Sequence, residues 1–139
     1  MTATWYQGDA MNFIEAIGSG FANYVNFSGR AARSEYWLWV LFTVIGGVAT
    51  RILDGALFGH DEVVGSPLNA VFNVVTFLPS LAFGARRLQD INRPGWWGLI
   101  ILTIIGIFVF IYWACLKGTV GPNRFGPDRL EQLSRRSAA

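Results

Sequence analysis

Pro94 to Leu116 reads PGWWGLIILTIIGIFVFIYWACL, 23 residues without an Asp, Glu, Lys or Arg. Trp96 and Trp97 open it and Tyr112 and Trp113 close it, an aromatic pair at each end, as where membrane helices meet the headgroups. A bilayer core about 30 Å thick takes about 20 apolar residues of helix, so the stretch predicts a membrane helix over 96–116. Val63 to Ala85 is a second charge-free run of 23 residues, and Tyr36 to Thr50 a third of 15. A helix on a soluble domain turns one face to water and breaks its apolar run with charge. Over the whole chain of 139 residues, 53% are hydrophobic and only 14% charged, against about 25% charged in a soluble domain. Mean hydropathy is +0.38. This composition excludes a disordered chain, a disulfide scaffold and a collagen-like fibre, and it speaks against a water-soluble monomer. The length fits a single domain.

Working outward, the expected fold is an all-α integral membrane protein, with three hydrophobic helices at 36–58, 68–85 and 96–116. Residues 1–9 read as a leader, and residues 1–28 show no basic stretch followed by an apolar one as in a signal peptide, so the first span is expected to act as an uncleaved signal. Over 10–28, Met11, Ile14, Ile17, Phe21, Tyr24 and Val25 recur at steps of three or four, which predicts an amphipathic helix with Asp9 as N-cap. It either lies in the membrane interface or packs on the other helices. Tyr36, Trp37 and Trp39 read as interfacial aromatics of the first span. In the second, Asn69, Asn73, Thr76 and Ser80 form a polar stripe that lipid cannot satisfy and that should face other helices. Pro79 predicts a kink there. The polar tail, 117–139, carries turn-forming glycines and prolines, with a short helix expected over 128–136.

Arg30 and Arg33 precede the first span, Arg86, Arg87 and Arg93 follow the second, and the loop at 59–66 has no Lys or Arg. The positive-inside rule therefore places the N-terminus and the 86–95 loop in the cytoplasm. Three simple spans then send the tail outside together with Lys117, Arg124, Arg129, Arg135 and Arg136, against the same rule. The alternative is a re-entrant third segment that bends near Gly106 and returns the tail to the cytoplasm. Three spans are the primary expectation, because the run is uninterrupted and belted at both ends.

Three motifs occur in order: Gly29 to Trp37 (GRAARSEYW), Leu78-Pro79-Ser80 with Arg86-Arg87-Leu88-Gln89-Asp90 and Gly95-Trp96-Trp97, and Gly118 to Asp128 (GTVGPNRFGPD). Together they resemble the DUF805 family of bacterial inner-membrane proteins, over roughly residues 20–128. The resemblance implies a location and a membrane fold and carries no catalytic residue. The family's pattern has His after Arg-Arg-Leu where this chain has Gln89, so any acid–base or metal role of that His is not carried over.

Arg86, Arg87, Asp90 and Arg93 form the most suggestive constellation. If helix continues past Ala85, Arg86, Asp90 and Arg93 share one side, and arginine forks suit phosphate or carboxylate. The competing reading is a loop that sets topology, with Arg30, Arg33 and Glu35 close enough to pair with it. Arg51 and Asp54, three apart near the far end of the first span, are either a functional intramembrane pair or an ion pair reaching the far interface. Asn69 and Asn73 are the polar candidates of the second span. His60 beside Asp61 and Glu62 is too poor in ligands for zinc, and the glycines of 118–126 lack the strand-to-helix setting of a phosphate loop. Cys115 has no partner cysteine. No nucleophile, base, metal or cofactor site is nominated, and a net charge of +2 without a recognition motif gives no reason to expect nucleic acid. The expected function is a non-enzymatic module that binds anionic lipid or a partner membrane protein. An oligomeric transporter or channel lined by Arg51 and Asp54 is the alternative, and an enzyme acting on lipid headgroups ranks last.

Overall fold

The computed structural model describes residues 12–59 and 65–138. Five α-helices form: α1 Phe13–Ala22, α2 Arg33–Phe58, α3 Pro67–Asp90, α4 Ile104–Cys115 and α5 Arg129–Ala138. A 3-10 helix, Gly95–Leu102, precedes α4. Among the described residues the only β pairing is an isolated bridge between Asn123 and Gly126. The expected leader, the Asp9 cap and the His60-Asp61-Glu62 cluster lie outside the described residues. The first helix starts at Phe13, with the Asn12 side chain accepting from the Glu15 amide at 2.8 Å, and ends at Ala22 rather than running to 28.

Among the described residues α2 and α3 are the two helices long and apolar enough to cross a bilayer. At about 1.5 Å per residue, 26 and 24 residues give lengths of about 39 and 36 Å. They run antiparallel, and small and polar residues set their contact. Gly46 faces the Phe72 ring so closely that a Cβ there would overlap it. Asn69 donates from Nδ2 to the Gly47 carbonyl (2.9 Å) and to Thr50 Oγ1 (3.0 Å). Asn73 is exposed and donates to Asn69 Oδ1 within α3, so it takes no part in the contact, whereas Ser80 Oγ accepts from Trp39 Nε1 of α2 at 3.0 Å. Such bonds between helices in hydrocarbon each contribute about 0.6 kcal/mol, up to about 1.7.

Trp39 departs from its expected interfacial place. It is 1% exposed, packed between Phe83 of α3 and Phe21 of α1, over Gly20, where any side chain would collide with its ring. α3 runs on through Pro79 and past its expected end at 85 to Asp90. Proline lacks the N–H that would bond the carbonyl four residues back. That carbonyl, Val75 O, accepts from the Tyr24 hydroxyl at 2.7 Å.

The third apolar segment is not one helix, and the expected span over 96–116 is corrected here. It divides at Thr103, whose extended backbone ends the 3-10 helix and whose side chain caps α4 by accepting from the Gly106 amide at 3.0 Å. Gly106 sits against the Ile100 carbonyl, where a Cβ has no room. The two arms fold back on each other: the Trp97 and Trp113 rings lie 5.8 Å apart, so the aromatic pairs taken for opposite interfaces meet at one end. Eight residues of 3-10 helix rise about 16 Å and twelve of α-helix about 18 Å. The hairpin therefore reaches little more than half the depth of a bilayer core of about 30 Å.

Candidate functional site

Where α2 begins, α3 ends and the hairpin closes, charged side chains are buried together: Arg30, Glu35, Arg86, Arg87 and Asp90 are each 6% exposed or less. Burying a charge is costly unless it is paired and hydrogen-bonded, and the pairing can be followed atom by atom. Asp90 Oδ1 accepts from Arg30 Nε at 2.8 Å and Oδ2 from Arg87 Nη1. Arg30 spends its remaining donors on the Gly121 carbonyl (2.7 Å) and the Thr119 carbonyl, with Asp128 4.0 Å away. Arg87 donates to the carbonyls of Ala31 (3.2 Å), Ala114 (3.1 Å) and Leu116. The Asp90 carbonyl accepts from the Thr119 amide at 2.7 Å. One carboxylate and two arginines thus fasten the entry to α2, the exit of α3, the end of α4 and the start of the tail.

The tail is shaped for this contact. Gly118 lies against the Asp90 carboxylate, where a Cβ would overlap it. Gly121 and Gly126 take positive φ of 76° and 138°, which favours glycine. Asn123 accepts from the Phe125 amide (2.9 Å) and donates to the Gln89 carbonyl (3.0 Å). Asp128 accepts from the amides of Gly121 and Leu130 and so leads into α5.

A second pair lies beside the first. Arg129 of α5 grips Glu35 with both arms of its fork, Nε at 3.0 Å and Nη2 at 2.9 Å. Glu35 also accepts from Ser19 Oγ of α1 at 2.6 Å and from the Ala32 amide. The Glu35 hydrogen bonds hold the Arg129 guanidinium above its ordinary pKa. Ala16, Ala32 and Leu133 pack together next to it, so α1, the start of α2 and α5 share a small core. The sequence offered one signal for this pair, a carboxylate at the third position of a helix, which reads equally well as a simple cap.

Arg86 stands apart. Its guanidinium lies 4.5 Å over the Phe83 ring, and its Nε and Nη2 are buried without a partner. The expected row of Arg86, Asp90 and Arg93 on one side is therefore not formed. α3 ends at Asp90, Asn92 turns with φ of 61°, and Arg93 lies over the Trp97 and Trp113 rings at 5.3 and 4.7 Å. Arg33 is exposed and donates to the Cys115 carbonyl at 3.2 Å.

The far-end candidates are likewise redistributed. Asp54, 2% exposed, accepts from the amides of Leu68 and Asn69, both at 2.9 Å. It caps α3, a helix start being rich in unsatisfied N–H groups. Arg51 is exposed and turns to Ser66 Oγ at 3.3 Å. The expected Arg51–Asp54 ion pair gives way to these two contacts. Among the described residues no three His, Cys, Asp or Glu side chains gather as a metal site would need.

The comparisons with known proteins agree on one group. A family profile described as "Protein of unknown function (DUF805)" matches residues 24–127, a range holding α2, α3, the hairpin and the Arg30–Arg87–Asp90 knot. The chain is 42% identical to "Inner membrane protein YhaH" of Escherichia coli (strain K12) over 108 residues, covering 76% of this chain and 88% of that protein. It is 39% identical to "Inner membrane protein YhaI" of the same strain over 107 residues, covering 76% and 87%. No solved structure matches it.

Proposed function

The chain belongs to the DUF805 family, and from that premise we propose that it is a non-enzymatic module of the bacterial inner membrane that binds anionic lipid at its cytoplasmic face. α2 and α3 cross the bilayer, and the third apolar segment enters and leaves on the same side. One observation carries the reading. Of the 11 Lys and Arg residues, all but Arg51 lie at the end where α2 starts and α3, α4 and the tail meet. The positive-inside rule makes that end cytoplasmic, and the conflict raised by three simple spans disappears.

Within this end eight of the ten basic residues are of two kinds, Arg86 and Arg93 lying over aromatic rings instead. Arg30 and Arg87 are consumed by Asp90 and by backbone carbonyls, and Arg129 by Glu35, so these three hold the structure. Arg33, Lys117, Arg124, Arg135 and Arg136 are exposed and form a rim facing the headgroups. Near an anionic surface each contributes about 1 kcal/mol of attraction, screened by salt. A substrate headgroup has no access to the Asp90 carboxylate, which both arginines occupy. Asp54 is spent on the α3 cap, which removes one wall of the transporter reading.

The test is the thermal stability of the purified protein with phosphatidylglycerol or phosphatidylcholine added. A rise with phosphatidylglycerol alone, abolished by about 1 M salt and by Gln at all five rim positions, supports the reading. Equal effects of the two lipids sink it. A stoichiometric protein that copurifies whether or not anionic lipid is present replaces lipid by a partner.

A further inference from the structure

Between α3 and the re-entrant hairpin lies a cavity of about 820 Å³, within the roughly 300–1,000 Å³ of small-molecule sites. Its walls run from Phe77 and Leu81 on α3 to Leu99 and Leu102 on the 3-10 helix, all four exposed. Phe110 of α4 closes its inner side, and Gln89 lies at its other end. Twelve residues separate Phe77 from Gln89 on one helix, so the cavity follows α3 for about 18 Å. That is a long, apolar space lying along a membrane helix. Its polar end differs: the Gln89 side chain donates to the Phe27 carbonyl at 2.9 Å, while its Oε1 is buried and accepts no hydrogen bond. A buried acceptor without a donor is a cost the fold does not otherwise recover.

We propose that this cavity holds one acyl chain of a membrane phospholipid whose headgroup carries a hydrogen-bond donor, directed at Gln89. The length and direction of the cavity match a chain lying along the bilayer normal, from the end of α3 to the turn at Thr103. The apolar walls match its methylenes, and the orphaned Oε1 matches an ammonium or hydroxyl proton of the head. A choline head offers no such proton, whereas an ethanolamine head does. The inference rests on the membrane placement proposed above but not on the basic rim.

The experiment places the full chain in phosphatidylcholine vesicles doped with phosphatidylethanolamine bearing a photoactivatable diazirine on one acyl chain, with labelled residues mapped by mass spectrometry. Enrichment on Phe77, Leu99 and Leu102 over Val44, Val48 and Ile52 of α2 is expected. Leu81→Trp, which fills the cavity from an exposed position, should lower that label by about tenfold through lost chain burial. Gln89→Leu should remove the preference for an ethanolamine over a choline version of the probe. Label no higher on the cavity than on α2, or unmoved by Leu81→Trp, overturns the proposal and leaves the membrane placement standing. Absence of label from α2 as well overturns both. Cavity label that vanishes as protein density rises assigns the space to a second copy of the chain and also overturns it.

Discussion

Asp90 touches two arginines with its two oxygens, and each arginine then ties down backbone from a different part of the chain. Its charge is therefore the keystone of the polar end. Asp90→Asn leaves Arg87 buried without its carboxylate and Arg30 with Asp128 alone at 4.0 Å, and breaking a buried pair this way costs about 3–5 kcal/mol. Thermal unfolding in detergent should show that loss at low and high salt alike, because buried pairs are poorly screened. Unchanged stability would mean the knot does not form. At this scale the sequence showed which residue types would matter but not how they pair. Arg86 and Arg87 are adjacent and chemically identical, yet one is bonded on every side and the other has two donors unmet. Only the direction each side chain takes from α3 separates them, and that depends on the tail, which lies about thirty residues further along. The Arg51–Asp54 expectation failed for a related reason. Spacing along one helix predicts a neighbour on that helix, and a free helix start on the next element offered Asp54 two amide donors instead.

The two long helices were legible because their evidence is local: long charge-free runs, interfacial aromatics at the start of the first, and a polar stripe at helical spacing in the second. The hairpin was legible only as the alternative that the basic residues of the tail called for, because an uninterrupted apolar run with aromatics at both ends describes a spanning helix and a folded-back pair equally well. What distinguishes them is Thr103 followed three residues later by Gly106, a cap and an open backbone in the middle of an apolar run. Caps are usually sought at the borders of such runs. Pro79 offers a test at the same scale. If Tyr24 serves the carbonyl that Pro79 frees, Tyr24→Phe should cost about 1 kcal/mol. Pro79→Ala supplies the missing N–H, so in that background the same change should cost almost nothing. A double-mutant cycle read by thermal unfolding isolates this coupling. Additive effects would show that the hydroxyl and the proline act independently.

For the molecule as a whole, one topological fact governs the rest: the chain enters the third apolar segment and leaves it at the same end. From this follow the single aromatic cluster, the reach of Gly118 to Asp90, the grip of Arg129 on Glu35 and the gathering of ten basic residues on one face. The side on which the tail lies therefore tests more of the structure than any single substitution. With Cys115→Ser removing the native thiol, Ala138→Cys gives one reporter on the exposed end of α5, and Ser66→Cys in a second protein marks the opposite loop. Both are treated with a membrane-impermeant maleimide on intact cells and again after the cells are opened. The Ser66→Cys protein should label on intact cells and the Ala138→Cys protein only once they are opened. Labelling of the Ala138→Cys protein on intact cells would make the third segment a true span, separate the tail from Asp90 and Glu35, and contradict the fold described here.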